Sequence, residues 1–144
     1  MKRVLALDIG SVRIGVAVSD PLGMFAQGIA VLEANSRGED GWLEELDRLV
    51  AVYSPGAILL GNPVRTDGRK GPESLRVEAW AERISARYPA ISVKLHDERF
   101  STVMAQQALL EADMSRKDRK RNVDRVAAAL ILQSWLDQFG GELR

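Results

Sequence analysis

The sequence lacks cysteine altogether and has a single histidine, His96, among its 144 residues. Without cysteine the chain can form neither a disulfide nor a thiolate metal site, and it has no cysteine nucleophile. One histidine leaves little basis for a multi-histidine metal site or for a serine–histidine–aspartate triad. A metal ion would therefore have to be held mainly by carboxylates, which favours Mg²⁺ or Mn²⁺.

Long apolar runs are also missing. No uninterrupted apolar stretch approaches the roughly 20 residues that a membrane helix needs. Hydrophobic residues make up 46% of the chain and charged residues 28%, which is near the average for globular proteins. The length fits one domain. We therefore expect a single domain over residues 1–144, located in the cytoplasm and without a membrane partner.

Net charge is absent too, since 20 basic side chains balance 20 acidic ones. By itself this argues against a strong general affinity for nucleic acid. The charges are nevertheless unevenly distributed, with six acids and one base in residues 33–47 and six bases and two acids in residues 116–125. A charge run taken alone is more often a solvated face than a binding surface.

The periodicity of apolar residues predicts three strands followed by alternating helices and strands. Strands joined by short turns are antiparallel, whereas strands reached through helices are parallel. We therefore expect an α/β domain with one mixed five-stranded sheet, three strands antiparallel and then two parallel, with helices packed on it. The predicted elements are strands at 3–8, 14–19 and 26–32, a helix at 40–53, a strand at 57–60, a helix from Pro72, a strand at 91–96, a helix from Ser101 or Thr102 to about 112, a polar connector at 115–122 and a helix at 123–139.

The helix that begins at Pro72 has a predicted inward face. Apolar residues at helical spacing favour packing against the sheet. The predicted stripe is Leu75, Ala79, Trp80, Ile84 and Tyr88.

Asp8 and Glu98 each lie at the end of a predicted strand. Alternation places Asp8 on an otherwise apolar face, although an aspartate that starts a turn is an equally good explanation. Glu98 follows the strand at 91–96, where ligands gather in α/β sheets. The structural alternative is that Glu98 stabilises the N-terminus of the following helix through its negative charge. Neither segment alone decides between function and local structure.

Asp124 is more informative. It is predicted in the first turn of the last helix, and its neighbours on the same face are Ala127, Ala128 and Ile131. A carboxylate directed at a core is costly unless it is paired or binds a metal, although stabilisation of the helix N-terminus is the structural alternative. Together with Asp8 and Glu98 it can converge at one sheet edge, where two divalent ions could activate water for phosphodiester cleavage.

Four motifs follow one another along the chain and together cover nearly all of it. They are Leu7 to Ala17, Gly61-Asn62-Pro63 with Asp67-Gly68, Asp97 to Thr102, and Asn122 to Ala128. In this order they resemble the motifs of the YqgF/RuvX family. The resemblance implies a ribonuclease H-like fold and a hydrolase, a metal-dependent nuclease that processes the 5′ end of the pre-16S ribosomal RNA in ribosome biogenesis. Members have also been described as Holliday-junction resolvases by similarity of fold.

Residue by residue, the resemblance implies that Asp8, Glu98 and Asp124 are the catalytic acids and hold two Mg²⁺ or Mn²⁺ ions. Arg13 and Arg99 match motif positions close to them. Arg13 could contact phosphate or pair with a nearby carboxylate, and the sequence does not separate these roles.

A net-neutral chain needs a local positive surface to hold a polyanion, and the basic connector precedes Asp124. We expect RNA as the partner, with structured DNA as the alternative, and leave a homodimer open. The connector residues predicted to contact phosphate are Lys117, Arg119, Lys120 and Arg121.

Other functions remain open from the sequence. Within the nucleases, a Holliday-junction resolvase or a general RNA or DNA nuclease is the alternative. Actin-like or sugar-kinase-like ATP-binding proteins share the fold, but they need two lobes and a second phosphate loop. A catalytically inactive ribosome-assembly module that binds nucleic acid is also an alternative, although the presence of all three acids argues against it. His96 is either a proton shuttle or a structural histidine.

Overall fold

The computed structural model describes residues 2–35, 38, 40–63, 69, 71–97 and 116–139, with residues 116–123 described as helical backbone only. No helix within these ranges is long and apolar enough to cross a lipid bilayer. The helix expected between residues 101 and 112 lies outside the described residues. The described elements are β1 (Val4–Ile9), β2 (Arg13–Ser19), β3 (Ala26–Glu33), α1 (Trp42–Tyr53), β4 (Ala57–Asn62), α2 (Pro72–Arg87), β5 (Ser92–Asp97) and α3 (Arg116–Phe139).

The five strands form one mixed sheet in the order β3-β2-β1-β4-β5. The pairs β1–β2 and β2–β3 are antiparallel. The pairs β1–β4 and β4–β5 are parallel, as crossovers through helices require. The sheet predicted from the sequence is thereby confirmed in both its strand count and its directions.

Helices cover both faces of the sheet, and alternation along β1 divides its residues between them. Leu5 and Leu7 are fully buried against α1 and α2. Val4 and Ala6 belong to a second buried cluster, formed with the apolar face of α3. By the same alternation Asp8, two residues after Ala6, lies on the side of α3.

The inward face predicted for α2 is correct at Trp80 and Ile84 but wrong at Leu75 and Ala79, which are exposed. Leu75 is 56% exposed, and the buried residue beside it is Ser74. The Ser74 hydroxyl donates a hydrogen bond of 2.7 Å to Oδ1 of Asn62, which is itself buried at the end of β4. A count of apolar residues passes over a serine whose polar group is satisfied inside the fold.

The connector predicted at 115–122 is wrong for the described part of that segment, because α3 begins at Arg116 and runs without a break to Phe139. Arginine and lysine are good helix formers, and the apolar turns that follow anchor the helix on the sheet. Asp124 therefore lies eight residues after the first helical residue, which is beyond the second turn. Stabilisation of the helix N-terminus does not explain an aspartate at that depth.

Candidate metal and nucleic-acid site

Asp8 and Asp124 face the same space between the sheet and α3. Asp124 lies one turn before Ala127 and Ala128, which are buried against the sheet as the sequence predicts. Asp8 is partly buried at the end of β1. Two of the three carboxylates predicted from the sequence are thus brought together by the packing of α3 on the sheet.

The surroundings of Asp8 raise its pKa. Burial raises it from the ordinary value of 3.8 to about 6, and the negative charge of Asp124 adds to the rise. Ionisation of Asp8 therefore costs more free energy in the metal-free fold than in a solvent-exposed aspartate. A bound cation would offset both causes, since it attracts both carboxylates and replaces the lost solvation.

Of the two roles that the sequence leaves open for Arg13, the structure shows the pairing with a nearby carboxylate. Its Nε donates a hydrogen bond of 2.8 Å to Oδ2 of Asp124, so it pairs with a carboxylate of the site. The two side chains keep 27% and 25% of their surfaces exposed. The Arg13 charge therefore compensates Asp124 at a position that solvent and ions can still reach.

The backbone of α3 lies directly on β2 at this point. Gly15 is the cross-strand partner of Asp8. A Cβ placed on Gly15 would lie only 1.9 Å from the backbone oxygen of Asp124. Apolar periodicity does not reveal Gly15 as a site residue, although a glycine inside a strand is a recognised signal of close backbone approach.

His96 is held by the fold. It is 8% exposed, and its Nε2 lies 3.1 Å from the hydroxyl of Ser134 on α3. Burial lowers the pKa of His96, with Asp97 acting in the opposite direction. A buried, neutral imidazole bonded to a helix favours the structural role over that of a proton shuttle.

The remaining predicted residues are only partly placed. Glu98 and Arg99 lie outside the described residues, and Asp97 immediately before them ends β5. Among the residues that the structure describes, no three or more metal-ligating side chains come together. The predicted basic residues belong to the first turns of α3, on the same helix as Asp124, but their side chains are not described. These residues are Lys117, Arg119, Lys120 and Arg121.

The donor set of Asp8 and Asp124 fits a hard divalent cation. Both offer carboxylate oxygens, which Mg²⁺ and Mn²⁺ prefer. The pKa of Asp8 is raised first by burial and then by the charge of Asp124, and a bound cation would counteract both causes. On both counts the described part of the site is compatible with a metal ion.

Comparison with known proteins agrees with this geometry. A "Putative pre-16S rRNA nuclease" of Clostridium botulinum (strain Hall) is 44% identical over 137 residues, which cover 95% of this chain and 98% of that protein. Thermus thermophilus RuvC in complex with a Holliday junction substrate matches with a TM-score of 0.57 and 15% identity over 97% of both chains. The fowlpox virus Holliday junction resolvase matches with a TM-score of 0.57 and 15% identity over 95% of this chain and 99% of that one.

The two structural matches show the fold, which is ribonuclease H-like as the motifs imply. A sequence model described as "RuvX: Holliday junction resolvase" matches residues 2–138, nearly the whole chain. Coverage of this extent, together with the 44% identity to the clostridial protein, identifies the chain as a member of the RuvX (YqgF) family.

Proposed function

We propose that this protein is a metal-dependent nuclease that processes the 5′ end of pre-16S ribosomal RNA in the cytoplasm, acting as one domain over residues 1–144. One observation carries the proposal. Asp8 is a partly buried carboxylate whose pKa is raised to about 6 by burial and by the facing Asp124. The names of the family and of its curated relatives support nuclease chemistry at this site.

In the proposal, Asp8 and Asp124 hold divalent ions together with Glu98. Two such ions, when bound, polarise a water for attack and stabilise the leaving oxygen of the phosphodiester. The contribution of the chain is to hold the carboxylates at fixed positions on β1 and α3. Arg13 keeps the Asp124 carboxylate oriented through its 2.8 Å hydrogen bond, and in this proposal its partly exposed guanidinium also contacts a substrate phosphate.

In this proposal nucleic acid is held by the basic start of α3 and by Arg99, which belongs to the same sequence motif as Glu98. The helix carries the basic segment and Asp124 on one rigid element, so phosphates bound there are kept at a fixed offset from the site. Such contacts are indifferent to sequence because they meet backbone phosphate. RNA is the favoured substrate, and a homodimer is compatible with the proposal.

The test is cleavage of pre-16S ribosomal RNA, generic single-stranded RNA and four-way DNA junctions, each with Mg²⁺, Mn²⁺ or EDTA. We expect wild-type protein to cleave the ribosomal precursor only with a divalent ion. Asp8→Asn and Asp124→Asn should both abolish cleavage. Asp137→Asn is the matched control, because Asp137 is an exposed aspartate on the same helix. Cleavage in EDTA, or at the wild-type rate by Asp8→Asn, would contradict the proposal.

A structure-selective DNA nuclease is the second candidate, favoured by the fold shared with RuvC. It predicts cutting of four-way junctions in preference to the RNA precursor in the same experiment. Binding of RNA without cutting in either metal would instead identify an inactive assembly module.

A further inference from the structure

Gly15 occupies a special place in the packing of α3. It lies on β2, opposite Asp8 on β1. A Cβ built on it would be 1.9 Å from the backbone oxygen of Asp124, 2.6 Å from its carbonyl carbon and 3.4 Å from its Cα. The helix backbone at Asp124 therefore occupies the volume that any side chain at Gly15 would need.

The neighbouring strand shows the same packing in a weaker form. A Cβ on Gly28 of β3 would lie 2.8 Å from the backbone oxygen of Arg125. β3 is an edge strand, bonded only to β2, and can shift outwards to relieve the contact. β2 is bonded to β1 and β3 on its two sides, so Gly15 cannot move away from the helix without breaking the sheet.

We propose that Gly15 is a positioning residue of the metal site, because its missing side chain lets α3 approach closely enough for Asp124 and Asp8 to share a cation. The inference rests on the proposed metal-binding function. Raising the contact from 1.9 to 3.0 Å, the shortest separation that real Cβ atoms show, requires a displacement of about 1.1 Å. Metal–oxygen distances span only about 2.0–2.6 Å, so a shift of this size takes a carboxylate out of ligand range.

A merely structural role predicts a different outcome. If Gly15 served packing alone, Gly15→Ala would lower the melting temperature but leave the metal affinity of the folded protein unchanged. The two roles are therefore separated by metal binding and not by stability.

The experiment is titration of Mn²⁺ followed by electron paramagnetic resonance, on wild-type protein and on Gly15→Ala. Leu132→Ala is the control, because Leu132 is fully buried in the same helix–sheet cluster and its truncation leaves a cavity without lifting the helix. We expect Gly15→Ala to weaken Mn²⁺ binding roughly tenfold or more, as loss of an outer-sphere support does. Leu132→Ala should lower the melting temperature and keep wild-type affinity. Unchanged affinity in Gly15→Ala, or an equal loss in Leu132→Ala, would overturn the inference.

A second variant serves if Gly15→Ala does not fold. Ala128 is fully buried one turn after Asp124, and Ala128→Val adds two methyl groups between the helix and the sheet. We expect a smaller loss of Mn²⁺ affinity in the same direction, and unchanged affinity would contradict the inference.

Asp8→Asn separates the proposed metal site from the proposed role of Gly15. If it leaves Mn²⁺ binding intact, the metal site itself is wrong; if it removes binding while the spacing variants do not, only the role of Gly15 fails.

Discussion

Two aspartates on opposite faces of the sheet differ in how the fold treats their charge. Asp47 on α1 accepts hydrogen bonds of 2.8 and 2.5 Å from Arg87 on α2, and another from the Tyr88 hydroxyl. The Arg87 guanidinium, chiefly through these bonds, holds the pKa of Asp47 below its usual range. Asp8 shows the reverse, with its pKa raised to about 6. On the α1–α2 face Arg87 and Tyr88 stabilise the ionised acid, whereas on the α3 face burial and a second carboxylate disfavour the ionised form of Asp8.

Asp124 is intermediate between these two. Like Asp47 it is paired with an arginine, at 2.8 Å, and like Asp8 it faces the space under α3. The structure therefore assigns the uncompensated charge of the site to Asp8, because Arg13 neutralises its neighbour.

The largest expected difference between the two aspartates is in catalysis. Asp8→Asn keeps the shape of the side chain but removes a ligand charge, and we expect it to lower RNA cleavage by at least roughly 1,000-fold, about 4 kcal/mol in the barrier. Asp47→Asn should keep wild-type activity. Its stability loss should stay below about 1 kcal/mol, because the exposed pair is screened by solvent. Single-turnover cleavage with Mg²⁺ measures both variants, and a comparable loss of activity in Asp47→Asn would break the contrast.

The second effect concerns stability without metal. Because the folded pKa of Asp8, about 6, exceeds its ordinary value of 3.8, the contribution of Asp8 to stability is complete below about pH 4 and is lost as pH rises through 6. Asp8→Asn removes this loss. In EDTA at pH 7 we expect it to be more stable by up to about 3 kcal/mol.

Urea unfolding between pH 3.5 and 8 measures this difference. Asp47→Asn should instead lower the stability at neutral pH. A carboxyl with a lowered pKa contributes stability that is present at neutral pH and is lost on acidification. An Asp8→Asn variant less stable than wild type at pH 7 would show that Asp8 is a structural acid.

A third, smaller effect tests the basic start of α3. Replacing Lys117, Arg119, Lys120 and Arg121 with Ser should weaken binding of single-stranded RNA similarly for all sequences. Each lost phosphate contact lowers the slope of log K against log salt by roughly 0.7, so four contacts lower it by about 2.8. Arg48→Ser is the control, because Arg48 is an exposed residue of α1 on the other face of the sheet, and it should leave the slope unchanged. An unchanged slope in the quadruple variant would place the nucleic acid elsewhere.

The smallest effect concerns His96. Removing its partner with Ser134→Ala should cost about 1 kcal/mol of stability, the usual value of a partly buried hydrogen bond. The pH profile of cleavage should not move, because a structural imidazole transfers no proton. A shift of the profile in this variant would restore the proton-shuttle interpretation.

The sequence predicts the fold well because periodicity reports burial. Alternation along β1 puts Asp8 on the face of Val4 and Ala6, which the structure covers with α3. The predicted stripe of Ala127, Ala128 and Ile131 is buried, as expected for the inward side of the helix that carries Asp124. The start of α3 was missed because its first turns contain no apolar residue from which a period could be read. A helix can begin in charged residues when its later turns are anchored.

The details of the site depend on contacts between distant residues, which a single sequence does not specify. Arg13 and Asp124 are 111 residues apart, so their hydrogen bond follows from the packing of α3 across β2. The same packing gives Gly15 its importance. Asn62, which lies beyond the strand predicted at 57–60, is a buried partner of Ser74 at the end of β4, and this contact is likewise not specified by the local sequence.

One titration decides whether Asp8 and Asp124 share a cation. Carboxyl ¹³C NMR of Asp8 should give a pKa of about 6 in EDTA, and saturating Mg²⁺ should lower it below the ordinary 3.8, because the ion favours the ionised form. In Asp124→Asn the metal-free pKa of Asp8 should fall only in part, because burial is the larger cause of its rise, and the response to Mg²⁺ should weaken. An Asp8 carboxyl that titrates near 3.8 in EDTA and does not respond to Mg²⁺ would contradict the metal site proposed here.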